Sequence, residues 1–305
     1  MKVFGQDRLD GGVQSEFVPE LHAARDPNFW RKLNPQLALT EAGSKQGLPA
    51  YPVHTERWPD YMQQLRDEGY VQWDRILPPD LVSLLSATVI NLHNYGINPS
   101  FAFVYDIFWS VARRLRQVLA PVLGEDYRQL PDFWTWYIDP ARQHAGWRPH
   151  RDRIHCNPLL DDGMPKSLTV WVALTNATPL NGCMYLLPAN LDTDYHNFAE
   201  RDSEVNVQGI RALPVSAGSI LMWNQRVIHW GGTASPRARE PRISFAIEFQ
   251  RADERPYNEP LLHFPDDLLP FDMRLMLVAK QFLQYTHMYS ISPELKRLAE
   301  KILRD

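Results

Sequence analysis

The chain has 305 residues, enough for one large domain or two small ones, and a hydrophobic fraction of 44% is ample for a buried core. A net charge of -4 with no basic run or stripe gives no reason to expect a nucleic-acid or membrane-surface partner. Two cysteines in so long a chain make no disulfide framework. The first residues lack the apolar core of a signal peptide and the apolar runs are too short to span a bilayer, so the expected setting is a reducing cytoplasm.

Residues 1–56 are turn-rich and read as an extension that wraps the folded core or covers its mouth. His54-Thr55-Glu56 has metal-ligand spacing, but no motif surrounds it and it reads as loop. The pattern then predicts helices over 58–68, over 79–95 with Gly96 as stop, and over 104–123 with Gly124 as stop. Strand-like segments fill 133–249, and two more helices are expected over 269–285 and 293–303. Helices first, strands in the middle and helices last describe a mainly β core with flanking helical buttresses. The corresponding organisation is an N-terminal extension 1–56, a helical buttress 57–130, a sheet core 131–251 and C-terminal helices 252–305, all in a single domain 1–305.

Within the strand region, the runs from Gly218 to Trp223 and from Arg226 to Trp230 are short, apolar and β-prone, with Asn224-Gln225 between them and Gly231-Gly232 after. His229 is therefore expected at a strand end, facing away from Ile228. Farther upstream, His150 and Asp152 stand two apart, so on a strand both side chains leave the same face. The last strand is the most legible. Ile243, Phe245, Ile247 and Phe249 form one wall, while Arg242, Ser244, Glu248 and Gln250 share the other with Ala246. Such a strand packs one side under helices and lines a wet cavity with the other.

Two imidazoles and one carboxylate can hold a divalent iron on one face and leave its other positions open, as non-haem iron oxygenases require. Each part alone has a plainer reading. His150 and Asp152 could form a surface pair or a turn, and an isolated His229 is by default a satisfied core histidine. Arg242 in a polar cavity is a bidentate partner for a carboxylate, although it could pair with Glu240 or Glu248 instead. Trp171 is by default a core aromatic, and Cys183 a small core residue; Cys156 lies close to the metal triplet.

Taken in order, His150-x-Asp152, Trp171-Val172-Ala173-Leu174, Asn181-Gly182-Cys183-Met184-Tyr185-Leu186-Leu187-Pro188, His229 and Arg242-x-Ser244 resemble the iron(II)- and 2-oxoglutarate-dependent oxygenases of the phytanoyl-CoA dioxygenase type. The likeness begins at Leu65-Arg66-Asp67-Glu68-Gly69-Tyr70-Val71 and Leu77-Pro78-Pro79-Asp80-Leu81, and covers roughly residues 57–250. It implies a double-stranded β-helix, a cupin-like jelly roll, with Fe(II) held by His150, Asp152 and His229 at one mouth. It further implies that Arg242, with Ser244 beside it, holds the distal carboxylate of 2-oxoglutarate, and that Trp171 walls the cosubstrate pocket. Dioxygen is the third participant, with succinate and carbon dioxide as coproducts. Many members carry a small hydroxyl residue two places after the distal histidine, where this chain has Gly231, and their Pro-Gly-Ser-His is here Pro188-Ala189-Asn190-Leu191. Halogenating relatives replace the carboxylate ligand with a small residue, so Asp152 speaks against halogenation.

The substrate is expected to be a small molecule that is hydroxylated, or desaturated or cyclised on the same ligands. Trp136, Trp147 and Arg148 flank the triplet and are candidates for its binding. Arg148, Arg151 and Arg153 suggest an anionic or zwitterionic molecule, unless these side chains simply point outward into water. Two rival readings remain at this stage. A cupin-like isomerase or a dioxygenase without 2-oxoglutarate would keep the ligands and not need Arg242, and a non-catalytic binding module would need neither.

Overall fold

The computed structural model describes residues 16–40, 56–154, 157–197, 205–262 and 269–304. His54 and Cys156, and much of the N-terminal extension, lie outside the described residues.

Within the extension, α1 (Leu21–Ala24) and α2 (Pro27–Leu33) are short. Asp26 caps α2 through the Asn28 N–H, with Pro27 preset for the first turn. The two helices fold onto the helical side of the molecule. Trp30 is fully buried, donates its indole N–H to Ala24 O and packs against Phe101.

Next come α3 (Trp58–Glu68), β1 (Tyr70–Trp73) and α4 (Pro79–Asn94). Gly69 joins α3 to β1 in the left-handed region, with φ 78°. A Cβ there would also lie 2.6 Å from Val227 Cγ2, so the turn needs glycine twice over. The helix expected over 104–123 is two helices, α5 (Asp106–Arg114) and α6 (Arg116–Leu123), preceded by a 3-10 segment Pro99–Val104. The apolar period runs through all three pieces. The breaks come from tertiary packing, because Phe103, Phe108 and Trp109 face the sheet while Phe101 packs against Trp30 and Phe282.

The strands are β2 (Arg128–Ile138), β3 (Ser167–Ala173), β4 (Met184–Leu187), β5 (Arg211–Leu213), β6 (Ile220–Asn224), β7 (Ile228–Gly231) and β8 (Arg242–Gln250). They form two antiparallel sheets, one ordered β1-β6-β3-β8-β2 and the other β5-β4-β7. The larger sheet has an outer face under helices and an inner face toward the smaller sheet. Ile243, Phe245, Ile247 and Phe249 of β8 are buried outward, with Phe245 against Phe103 and Phe108. Trp171, Leu221, Trp223 and Ala246 turn inward, to a second apolar cluster shared with Met184 and Leu186 of β4. This is the expected jelly roll. The chain closes with α7 (Phe271–Gln284) and α8 (Pro293–Arg304). Among the described residues no helix is long and apolar enough to cross a membrane.

Candidate metal and cosubstrate centre

The cleft opens between the sheets and has an empty volume of about 490 Å³. His229 enters it from β7. His150 does not belong to a regular strand, contrary to expectation, but makes a single antiparallel bridge with His229: each backbone N–H donates to the other's carbonyl, at 3.1 and 2.9 Å. Asp152 follows in a bend. The three side chains still converge, because the bridge fixes the two histidines side by side and the bend returns the carboxylate between them. One ligand atom from each lies within 4.8 Å of the others. Asp152 Oδ1 is 3.5 Å from the Nε2 of each histidine.

Hydrogen bonding fixes which atoms are free. His150 Nδ1 is 2.7 Å from Arg148 O and His229 Nδ1 is 3.0 Å from Val227 O. A carbonyl only accepts, so each Nδ1 carries a proton, and Nε2 is the ring atom left to face Asp152 and a metal. Asp152 Oδ2 accepts from Thr169 Oγ1 at 2.7 Å and from Trp223 Nε1 at 3.1 Å, leaving Oδ1 turned to the histidines. Such outer partners are what orient metal ligands. Burial works to raise the Asp152 carboxyl, but His229, His150 and the Thr169 hydroxyl hold it well below the usual carboxylate range. Burial pushes His229 down to about 4, so its imidazole is neutral near neutral pH.

The loop carrying the triplet is braced from behind. Arg151 grips Asp192 with both Nη atoms, at 2.6 and 3.1 Å. Arg226, buried, donates to the carbonyls of Ile154, Asp194, Tyr195 and Asn197. Arg153 reaches Glu248 at 3.2 Å. The three arginines near the triplet therefore do different work from that expected. Only Arg148 is exposed, and it does not line the cleft; the others are consumed by neighbouring carboxylates, which leaves no basic mouth.

Arg242 lies on the inner face of β8, 1% exposed, and donates to Ser244 Oγ at 2.7 Å. Among the described residues no carboxylate pairs with it, neither Glu240 nor Glu248, and its Nε has no acceptor. Burial lowers it to about 10, still charged at neutral pH. Trp171 stands beside it, with the guanidinium carbon 5.7 Å from the ring centroid. Room for this arginine comes from two glycines. A Cβ on Gly231 would sit 2.8 Å from Arg242 Nη2 and 2.8 Å from Gly146 Cα. The departure at Gly231 thus has a steric cause, and Ser244 supplies a hydroxyl from the other side.

Trp136 and Trp147 line the cleft as expected. Lining residues to which the sequence reading gave no role include Asp132 on β2, Thr169 on β3, Glu248 on β8 and Tyr285 just past α7. Glu248 was legible on the polar wall of its strand. Asp132 had only its place before the aromatic run Phe133-Trp134-Thr135-Trp136-Tyr137, and Tyr285 had no local signal at all. Burial, and next Asp132, push the Glu248 carboxyl well up, with Arg153 opposing.

A jelly roll with two histidines and one carboxylate converging at its mouth is the arrangement of the non-haem iron oxygenases. The donor set suits iron(II), and a buried guanidinium without an anion suits a dicarboxylate cosubstrate. The family model described as Phytanoyl-CoA dioxygenase (PhyH) matches residues 65–241. The chain belongs to this family and is a non-haem iron(II)- and 2-oxoglutarate-dependent oxygenase that uses dioxygen. That sets aside the readings as a jelly-roll enzyme without 2-oxoglutarate and as a non-catalytic binding module.

Solved structures share the fold at low identity. The apo non-heme monooxygenase ThoJ is 16% identical, covering 80% of this chain and 99% of its own, with a TM-score of 0.55. The alpha ketoglutarate dependent epimerase SnoN from nogalamycin biosynthesis is 19% identical over 65% of this chain and 84% of its own, with a TM-score of 0.50. HygX from Streptomyces hygroscopicus, with nickel and 2-oxoglutarate bound, is 12% identical over 65% and 88%, with a TM-score of 0.50. No functionally curated protein matches the chain by sequence.

Proposed function

We propose that the cleft hydroxylates a small-molecule substrate, with His150, Asp152 and His229 holding iron(II), and that desaturation or ring closure would use the same ligands. The carrying observation is the convergence of two Nε2 atoms and Asp152 Oδ1 in the same cleft as a buried arginine that has no acid partner among the described residues. Arg242 and Ser244 then hold the distal carboxylate of 2-oxoglutarate, and Trp171 walls it. Bound iron would supply oxidative decarboxylation of the ketoacid and abstraction of hydrogen from a C–H bond. The chain's own residues place and shield. Thr169 and Trp223 keep Asp152 Oδ1 aimed at the metal, and Arg151 and Arg226 hold the loop. Trp136 and Trp147 keep water from the substrate end. Asp152 fills the position and supplies the charge that a halide would need, so the product carries no chlorine. The helices on the outer face belong, in this reading, to one oxygenase domain with the barrel.

Anaerobically purified protein given iron(II), 2-oxoglutarate, a metabolite library and then oxygen should release succinate in step with substrate loss. Succinate formation unchanged by the joint replacement His150→Ala, Asp152→Ala would refute the assignment.

A further inference from the structure

Resting on that reading, we infer that the substrate carries a cationic nitrogen, seated against an indole and phenol wall with Glu248 as its counter-ion. Four charged residues line the cleft: Asp132, Asp152, Glu248 and Arg242. Iron(II) and Arg242 balance Asp152 and the dianionic cosubstrate. The substrate end is left with Asp132 and with Glu248, whose far oxygen is paired to Arg153 behind the wall, and no cation lines it among the described residues.

Glu248 is built to face a ligand: burial and Asp132 push its carboxyl up, and a cation placed at its free oxygen would restore the charged form. It is 9% exposed, and its Oε2 accepts from both Gln225 Nε2 at 2.6 Å and Arg153 Nη2 at 3.2 Å. Its Oε1 accepts from nothing, yet is not sealed in protein. In the register of β3 and β8, Glu248 stands opposite Thr169, the residue that bonds Asp152, while Arg242 lies six residues away along β8. At about 3.3 Å per residue that is roughly 20 Å of strand. The free oxygen is therefore beside the metal ligands and remote from the root of the cosubstrate arginine. Asp132, by contrast, is already satisfied by Asn258, Gln284 and Tyr285, with Lys280 behind Asn258. It adds field without offering a free oxygen.

The aromatic wall supplies the second half. Trp147 lies 5.6 Å from Trp134, 5.1 Å from Trp136 and 4.6 Å from Tyr285 between ring centroids, at inclinations of 47°, 74° and 48°. The rings are inclined to one another and not stacked, and ring faces turned to the cleft attract a cation within about 6 Å. A carboxylate at this end would meet two acidic side chains, which favours a cationic nitrogen, alone or as one end of a zwitterion, over a purely anionic molecule.

The test uses protein loaded anaerobically with manganese(II) and 2-oxoglutarate. Matched ammonium, alcohol and carboxylate probes on butyl, cyclohexylmethyl and 2-phenylethyl skeletons are titrated by tryptophan fluorescence and calorimetry. The ammonium member should bind about tenfold or more tighter than its alcohol on each skeleton that binds. Glu248→Gln should erase that preference while manganese and 2-oxoglutarate still bind. Equal affinities, a preference for the carboxylate, or no ammonium binding overturns the inference in wild-type protein, whether or not the variant folds. If manganese and 2-oxoglutarate bind and the preference is absent, only this inference fails. If they do not bind, the metal and cosubstrate reading fails and takes the inference with it.

Discussion

At Asp152, two donors on one oxygen decide where the other oxygen points, and this makes the outer partners testable separately from the ligands. Thr169→Val removes one hydrogen bond to Oδ2 while keeping shape, and Trp223→Phe removes the other together with part of the ring. Losing such a partner typically weakens metal binding about 10–100-fold. Iron(II) or manganese(II) titration should show that loss for either variant, and a larger one for Asp152→Ala; an unchanged constant in both would mean that Oδ2 needs no orientation. Arg242 allows a second measurement. Removing one partner of a buried charge pair costs roughly 3–5 kcal/mol. Arg242→Leu should therefore raise the 2-oxoglutarate requirement by about two orders of magnitude or more, since each 1.4 kcal/mol is about tenfold. Manganese affinity without cosubstrate should stay the same. The ligand residues were legible because His-x-Asp, a strand-end histidine and an alternating strand are local patterns. The roles of Arg151 and Arg153 were not. Whether an arginine faces solvent or a carboxylate 41 or 95 residues away depends on the tertiary fold.

Helix starts and stops marked by proline and glycine were readable, and α6 ends where Gly124 says it should. What could not be read was the break at Leu115 or the docking of α1 and α2. Both depend on contacts between distant segments and not on local period. The same kind of contact fastens the N-terminal segment. Asp106 at the start of α5 pairs with Arg274 of α7, and both bond Thr40: its backbone N–H and hydroxyl go to Asp106, and its carbonyl to Arg274 at 2.8 Å. Arg274 and Asp106 are buried, so removing the acid leaves an uncompensated charge between two helices. Asp106→Ala should destabilise the protein by about 3–5 kcal/mol in denaturant titrations. Removing only the Thr40 hydroxyl, in Thr40→Val, should cost about 1 kcal/mol. Equal costs would show that the ion pair is not what ties these elements together.

For the molecule as a whole, acid should unmake the site and the fold through the same imidazole. The folded pKa of His229 is depressed by burial to about 4, against about 6.5 for an exposed histidine. Below about pH 6.5 the unfolded chain takes up a proton that the folded chain refuses, so the stabilisation present above that pH is lost as pH falls through 4. The depressed Asp152 acts in the same direction at still lower pH. In metal-free protein the loss linked to His229 amounts to roughly 3 kcal/mol across that window. His229→Gln cannot titrate, so the stability gap between wild type and this variant, followed by denaturant unfolding from pH 7 to pH 4, should narrow steadily in wild type's disfavour. Loading with metal adds a second slope, because a proton on Nε2 occupies the lone pair that the metal needs. Manganese should hold the wild-type stability up at pH 6 and lose its effect toward pH 4. A gap independent of pH would show that His229 is not kept neutral by its burial. A metal effect undiminished at pH 4 would show that its Nε2 is not a ligand.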